Sequence, residues 1–528
     1  MGDVPRSPSS SPPIRHTADP ARTRDELTQI RPDLLERYDA ELPAARASIL
    51  ARLFGALDRE PLPGLTGRRR GEASFRGVNV RFPEAAAYAF APVPAGLSAV
   101  VRSAGEASDD DLGARISDPG TLVRFLWPGS ILAAEVDNSV ANLALARADR
   151  PDPALPGPGD PDGLGRTEQQ IVDGHPLHPC CRTRGGMSVA DVLAYGPEHS
   201  PVLRLRRLRV PGDRWYGTAE PVLYAHPWQA ARLRERYPWL TDDGETGPAR
   251  PLMSLRTVAP LDGGPHVKTA VDVQMTSAVR TVSPAAVHNG PILSALLRRI
   301  TVDLPIGILA ETAGGAVTVD GEPQRHLAYL TRQAPDLDAG ETVVPLALYG
   351  ASPLLLDTVA DPYDFFRRLG TLLFAPLLRV LDRGIALEAH GQNTLLVLRD
   401  GKPARILYRD LGGVRVSAAR LRAAGVEAPP IAGDLPTDDP QVLRTKLAAA
   451  ALGTVAAELV AAFTRHHGAD PHALWAIVAA AVRDTGTADA PHLLRDPLPV
   501  KATTAMRLAA DPLNDIWARL DNPLAAHV

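Results

Sequence analysis

The sequence predicts an α+β chain made of more than one domain, and three observations carry that expectation. At 528 residues the chain exceeds what one hydrophobic core usually organises. Apolar residues recur at helical spacing near the start, with Leu34, Leu35, Tyr38, Leu42, Ile49 and Leu53 falling on one stripe. The middle of the chain switches to short alternating runs punctuated by Gly and Pro, and from Asp361 onward helical patterns dominate again.

Taken in order, residues 1–24 are rich in Ser, Pro and Arg without an apolar run, which predicts a disordered tail and not a secretory signal. Residues 25–57 predict one or two amphipathic helices, and 71–103 a set of short strands. Residues 122–147 return to helix, with Leu132, Val136, Val140, Leu143 and Leu145 on a broad face and Glu135, Asp137 and Asn138 between them. The Pro/Gly/Asp-rich stretch 152–162 reads as a domain boundary or a long loop. In 202–210, Leu203, Leu205 and Leu208 alternate with arginines, a half-exposed strand whose basic face needs no function beyond solvation. Further strand-like runs occupy 267–282 and 304–330. The Ala-rich run 447–463, interrupted by Glu458, is shorter than the roughly 20 residues a bilayer requires and predicts a buried helix.

Composition narrows the function. A hydrophobic share of 45% is ordinary for a globular protein, and a net charge of -4 gives no reason to expect nucleic acid or a membrane as partner. The two cysteines, Cys180 and Cys181, are adjacent and bridge only with strain, so the expected home is the reducing cytoplasm. Neither a GxxxxGK[ST] nor a GxGxxG phosphate loop occurs, so any ATP is bound by another scheme.

The most informative stretch is Glu388-Ala389-His390-Gly391-Gln392-Asn393 with Tyr408-Arg409-Asp410-Leu411-Gly412-Gly413. Asn393 and Asp410 are hard oxygen donors that suit Mg²⁺, each where a short β segment meets a turn, with Glu388 and His390 just upstream. The plain alternative is a polar hairpin that ties a domain edge together. A second cluster, Gly174-His175-Pro176-Leu177-His178-Pro179, sets two histidines in a Pro-stiffened turn before Arg182 and Arg184. The neighbouring cysteines raise the thought of zinc, but the prolines force an extended backbone and no second ligand pair lies at the usual spacing. Imidazoles and guanidiniums preset for polyphosphate or carboxylate fit better.

His226-Pro227-Trp228-Gln229 reads as a strand end with a structural Trp. In 251–257, alternation places Ser254 and Arg256 on one face of a strand, with Thr257 beginning the other. Lys268, Thr276 and Arg280 follow on the next extended segment. Two arginines and a lysine on one side repel unless anions lie between them, as a triphosphate or polycarboxylate would. Near the end, Lys501 precedes a helix carrying Met506 and Leu508, with Arg507 beside them.

In chain order these motifs are GHPLHPCCRTR, HPWQ, SLRT, the Lys268–Thr276–Arg280 segment, EAHGQN, YRDLGG and KATTAMRL. Together they resemble the NRPS-independent siderophore synthetases, the aerobactin-synthetase-like IucA/IucC family, from about Asp25 to the C-terminus. The resemblance implies mixed antiparallel sheets in a thumb (25–160), fingers (161–350) and a largely helical palm (351–528). It implies a ligase: ATP and Mg²⁺ activate a carboxylate, citrate by preference, as an acyl adenylate, and an amine, hydroxylamine or hydroxyl then displaces AMP. By the same resemblance Ser254, Arg256, Thr257, Lys268 and Arg280 hold phosphates, with Arg280 and Thr276 also near the carboxylate. His175 or His178, Arg182, Gln392 and Asn393 face the nucleotide, and His390 and Lys501 the carboxylate. Glu388, Asn393 and Asp410 are the Mg²⁺ ligands. Arg280, His390, Lys268 and Thr276 are thereby the catalytic candidates. The family usually has Lys at the position of Arg182, which puts that contact in doubt. It also tends to form dimers, so a homodimer is an expectation that no residue here bears on.

Two other readings compete. Asn393 and Asp410 echo the metal-binding residues of kinase-like phosphotransferases, which release ADP, but a Gly-rich loop with its strand lysine is missing. An inactive homologue should lack a charged cleft residue, and apart from the Lys-to-Arg change all are present.

Overall fold

The computed structural model describes residues 18–88, 90–103 and 113–528. Residues 1–17, most of the expected tail, lie outside them. The first helix already begins at Pro20, capped by the Asp19 side chain on the Arg22 amide, so 20–24 belong to a helix and not to a tail.

That helix, Pro20–Ile30, leads into Leu35–Arg59, which packs on Leu132–Ala148 through Leu53, Val136, Val140 and Leu143. Its other side covers a five-stranded antiparallel meander of Leu65–Arg69, Glu72–Phe75, Val78–Arg81, Ala99–Ser103 and Ala114–Ile116. Phe54, Phe75, Val80 and Phe82 meet there, and so do Val500, Ala502 and Ala505 from near the C-terminus. The last segment of the chain is therefore anchored in the first core, which is what brings Lys501 to the centre of the molecule.

A six-stranded antiparallel sheet runs Ala249–Pro251, Thr257–Pro260, His266–Thr269, Glu322–Arg332, Glu311–Val319, Trp215–Gly217. The hairpin of Val271–Met275 and Ala278–Arg280 projects beside it. A four-stranded sheet, Ile306–Ile308, Lys402–Tyr408, Thr394–Arg399 and Glu341–Pro345, mixes one parallel pair with two antiparallel ones and carries the Glu388 and Asp410 turns at its end. Helices enclose it, with Leu373, Phe374, Leu377, Leu447 and Leu452 in its core.

Two local expectations change. Residues 252–256 form a tight turn, not a strand: Leu255 adopts a left-handed φ of 65°, and the Ser254 hydroxyl bonds the Thr257 hydroxyl at 3.0 Å. Alternation of polar and apolar side chains there imitated a strand. The Ala-rich run sits in a helix from 440 to 467, long and apolar enough to cross a membrane but mostly buried inside the fold. Its 448–456 stretch widens to π-helical geometry, a form common at functional sites.

Candidate active site

A cavity of about 1070 Å³ opens where the first core, the hairpin and the helical region meet. His175, Ser254, Thr276, Arg280, His390 and Lys501 lie in its wall, as do Glu388, Gln392 and the edges of His178 and Arg182. Arg256, Thr257, Lys268, Asn393 and Asp410 lie outside that wall.

Turns under backbone strain present the key groups. Leu255, Thr276 and Asp410 all have positive φ, at 65°, 55° and 70°. For a β-branched residue such as Thr276 this is an outlier, and strain of this kind persists only where neighbours enforce it. The enforcement is visible. The Ser277 hydroxyl lies 2.8 Å from His178 Nε2, and Arg507 Nη1 donates to the Ser277 carbonyl at 3.1 Å. Arg507 is itself gripped by buried Glu135. Gln229 of the HPWQ motif bonds the Ala270 carbonyl at 2.8 Å and the Asp272 amide at 2.9 Å, pinning the start of the hairpin.

Arg280 donates through Nη2 to Thr276 Oγ1 at 2.7 Å, while its buried Nε has no partner. Burial, and then Arg256 and Arg184 nearby, pull its guanidinium down to about 9. The Arg256 and Arg332 Nε groups are likewise buried and unpartnered. Buried Nε groups without an acceptor occur on other arginines too, Arg184 and Arg207 among them; what sets Arg280, Arg256 and Arg332 apart is that no carboxylate pairs with them among the described residues.

The carboxylates beside them are held by lysines. Lys268 reaches both oxygens of Asp410 at 2.8 Å. Burial opposes ionisation of Asp410, but Lys268 holds it well below the usual range. Glu388 accepts from Lys446 at 3.2 Å and lies 3.4 Å from Lys501, which also sits 3.2 Å from Asp515. Against the effect of burial, these lysines keep Glu388 ionised. Gly413 leaves room for it: a β-carbon there would fall 1.9 Å from Glu388 Oε2 and push the carboxylate aside. Glu388 and Asp410 therefore flank the Gly412-Gly413 turn, and the Asn393 amide nitrogen donates to the Glu388 carbonyl at 3.4 Å; these are hard oxygen donors of the type Mg²⁺ takes, although among the described residues no three His, Cys, Asp or Glu side chains form a metal cluster.

The histidines differ. His178 is buried, with Nδ1 accepting from the Cys180 amide at 2.9 Å and Nε2 occupied by Ser277. His175 accepts the Leu177 amide at Nδ1, 3.2 Å, and is an exposed residue of the cavity wall. Burial, His390 and Arg52 push it down to about 3, so the ring is neutral. Burial likewise lowers His390, with Glu388 and Asp410 opposing.

Arg182 corrects the sequence reading. Its Nη1 bonds Glu198 at 3.1 Å, and Nε and Nη2 bond the carbonyls of Val172 and Ile171, so its charge does not reach toward a nucleotide. Cys180 and Cys181 are buried and unbridged. Sequence reasoning missed Glu198, Glu311, Lys446, Asp515 and Glu168, which grips Arg409 at 2.7 Å. Glu311, raised by burial and by Asp410, had one signal: an acid heading an apolar strand.

Residues 164–221 and 218–349 match the IucA / IucC family, and 364–524 match the family described as ferric iron reductase FhuF-like transporter. The staphyloferrin A synthase of Staphylococcus aureus is 28% identical over 431 residues, covering 70% of this chain and 74% of that protein. Over residues 164–349 the chain is thus similar to the IucA / IucC family. The D-ornithine–citrate ligase of the same organism is 25% identical over 339 residues, 49% of this chain and 51% of that one. The fold is that of the ATP-bound aerobactin synthetase IucA of Klebsiella pneumoniae, with a TM-score of 0.71 at 18% identity over 91% of this chain and 99% of that one.

Proposed function

We propose that the chain is a siderophore synthetase that adenylates a carboxylate, citrate or a citrate derivative, and condenses it with an amine or hydroxylamine. The observation that carries this reading is Arg280, which lines a cavity large enough for ATP and a polycarboxylate together and has no carboxylate partner among the described residues, with Arg256 close behind it. Citrate is supported by that concentration of positive charge and by the family's citrate ligase.

In the first step a carboxylate oxygen attacks the α-phosphorus and the bond to pyrophosphate breaks. Two anions must meet, and Arg280 with Arg256 offsets their repulsion in a site shielded from water. Ser254 in the 252–256 turn and Thr257 just after it offer hydroxyls to phosphate, Thr276 steadies Arg280 by accepting from it, and Gln392 borders the nucleotide. His175, with the free Nε2, is the histidine that meets ATP, and His178 supports it. Asn393, Glu388 and Asp410 would hold Mg²⁺, which would neutralise phosphate charge, with Lys268 yielding Asp410 to the ion. Lys501, oriented by Asp515, meets a carboxylate of the acid. In the second step the amine nitrogen bonds the acyl carbon, AMP leaves, and the neutral His390 ring accepts the nitrogen's proton.

The test resolves the nucleotide product. With ATP, Mg²⁺, a panel of carboxylates and excess hydroxylamine, the expected outcome is AMP and a hydroxamate dependent on one acid. ADP would sink the reading.

A further inference from the structure

Arg52 lies in the cavity wall on the helix Leu35–Arg59, outside every motif that the sequence singles out. Its guanidinium reaches from that helix to the turn that carries the histidines. Nε donates to the His175 carbonyl at 3.2 Å and Nη2 to the Asp173 carbonyl at 3.2 Å. Nη1 donates back to the Ser48 carbonyl of its own helix at 3.0 Å. The carbonyls of Asp173 and His175 flank Gly174, which turns both toward one cation. Gly174 has a φ of 69°, and a β-carbon there would fall 2.7 Å from the Cys181 carbonyl, so the turn depends on glycine.

A second arginine shows what Arg52 lacks. Arg147 takes the side chains of the same two residues, the Asp173 carboxylate at 2.8 Å and the Ser48 hydroxyl at 3.0 Å. Arg52 receives only their carbonyls, which orient a guanidinium without cancelling its charge. No carboxylate pairs with Arg52 among the described residues, and its remaining N–H groups have no acceptor there. Arg280 stands in the wall of the same cavity. Burial, then His175, and then cations that include both Arg280 and Arg52 lower the His178 ring, so the two arginines act on one histidine pair. An oriented, uncompensated guanidinium in a cavity wall recognises anionic oxygen. Beside His175, the histidine that meets the nucleotide, that oxygen belongs to a phosphate.

We propose that Arg52 is a further phosphate-binding residue of the nucleotide site, held against the His175 turn by two carbonyls while its open N–H groups receive a phosphate oxygen of ATP. This rests on the reading that His175 meets ATP. The arrangement makes one side chain do two things, fixing the turn and adding a positive charge to the wall opposite none of the chain's own acids.

The experiment titrates ATP with Mg²⁺ calorimetrically into the full chain, without acid or amine. Wild type, Arg52→Gln, His175→Ala and the double variant are compared. Arg52→Gln is expected to weaken ATP about tenfold. The same loss is expected in the His175→Ala background, because a direct contact persists when the ring is gone. Unchanged affinity in Arg52→Gln would overturn the proposal. So would a loss that vanishes in the His175→Ala background, since Arg52 would then act only by placing the ring. Arg52→Lys keeps the charge and is expected to lose no more than about threefold. A loss of about tenfold or more in Arg52→Lys would overturn the proposal, and this variant decides the matter if Arg52→Gln does not fold. ATP–pyrophosphate exchange by the wild-type chain with citrate reports adenylation separately. Its absence while ATP binds would sink the synthetase reading and leave the Arg52 titrations intact. A wild-type chain that binds no ATP would overturn the proposal itself.

Discussion

Arg182 and Arg184 lie close to Arg280, near enough for Arg184 to disfavour the charge on Arg280, yet the two regions do opposite things with their cations. In the first, Glu198 accepts from Arg182 at 3.1 Å and from Arg184 at 2.6 Å, all three are buried, and backbone carbonyls take further donors. That knot is closed in charge, although the Arg184 Nε keeps no acceptor. In the second, Arg280, Arg256 and Arg332 have no carboxylate paired with them among the described residues, and each also keeps a buried Nε without an acceptor. The difference teaches that the positive charge of a cleft is not a measure of its binding power. What matters is the donors left open when the protein's own acceptors have been counted.

The comparison breaks most visibly at Glu198. Glu198→Gln leaves two guanidiniums buried around a neutral amide, and the expected loss is about 3–5 kcal/mol of stability. Urea unfolding should show it, while adenylation by the fraction still folded persists. A role of Glu198 in the reaction would instead leave the urea midpoint in place and abolish turnover.

Acid should open the same knot. Burial opposes ionisation of Glu198, but Arg182 and Arg184 pull its carboxyl down to about 2 from the usual 4.5. A carboxylate depressed in the folded state contributes stability that is fully present above pH 4.5 and lost as pH falls toward 2. Its share is on the order of 3 kcal/mol. Stability measured across that window should decline in the wild type and decline less steeply in Glu198→Gln.

On the open side, Arg280→Ala removes a donor aimed at developing charge, and the expected effect is a fall of about two to three decades in pyrophosphate exchange. The melting temperature should stay level or rise, because an unpaired buried cation disappears. Loss of stability together with activity would place Arg280 in the closed class.

The smallest effect separates the histidines. His175→Ala should raise the KM for ATP roughly tenfold, about 1.4 kcal/mol, with little change in melting. His178→Ala should lower stability by about 1 kcal/mol, through the loss of its bonds to Ser277 and the Cys180 amide.

Much of this was legible in the residues, and what escaped has a physical reason. The helices around Leu35–Arg59 and Leu132–Ala148 follow from apolar spacing, and the hairpin that ends at Asp410 follows from its apolar runs and turn residues. The 252–256 turn escaped because a left-handed Leu255 between Ser254 and Arg256 has the same pattern as a strand. The closed knot escaped for a different reason. Glu198 is a charged residue in unremarkable company, 16 and 14 residues from Arg182 and Arg184 with no periodic pattern to join them, and the partners of Glu168 and Glu135, Arg409 and Arg507, lie hundreds of residues away. Arginine content could announce that the cleft is cationic. Only the pairing could say which arginines remain open.

The most direct test of the account follows an oxygen atom. The chain is incubated with ATP, Mg²⁺, hydroxylamine and citrate carrying oxygen-18 in its carboxylates, and the AMP released is weighed by mass spectrometry. Attack of the carboxylate on the α-phosphorus, at the site built around Arg280, is expected to leave one oxygen-18 in the phosphate of AMP. Unlabelled AMP, or ADP with the label in inorganic phosphate, would contradict it.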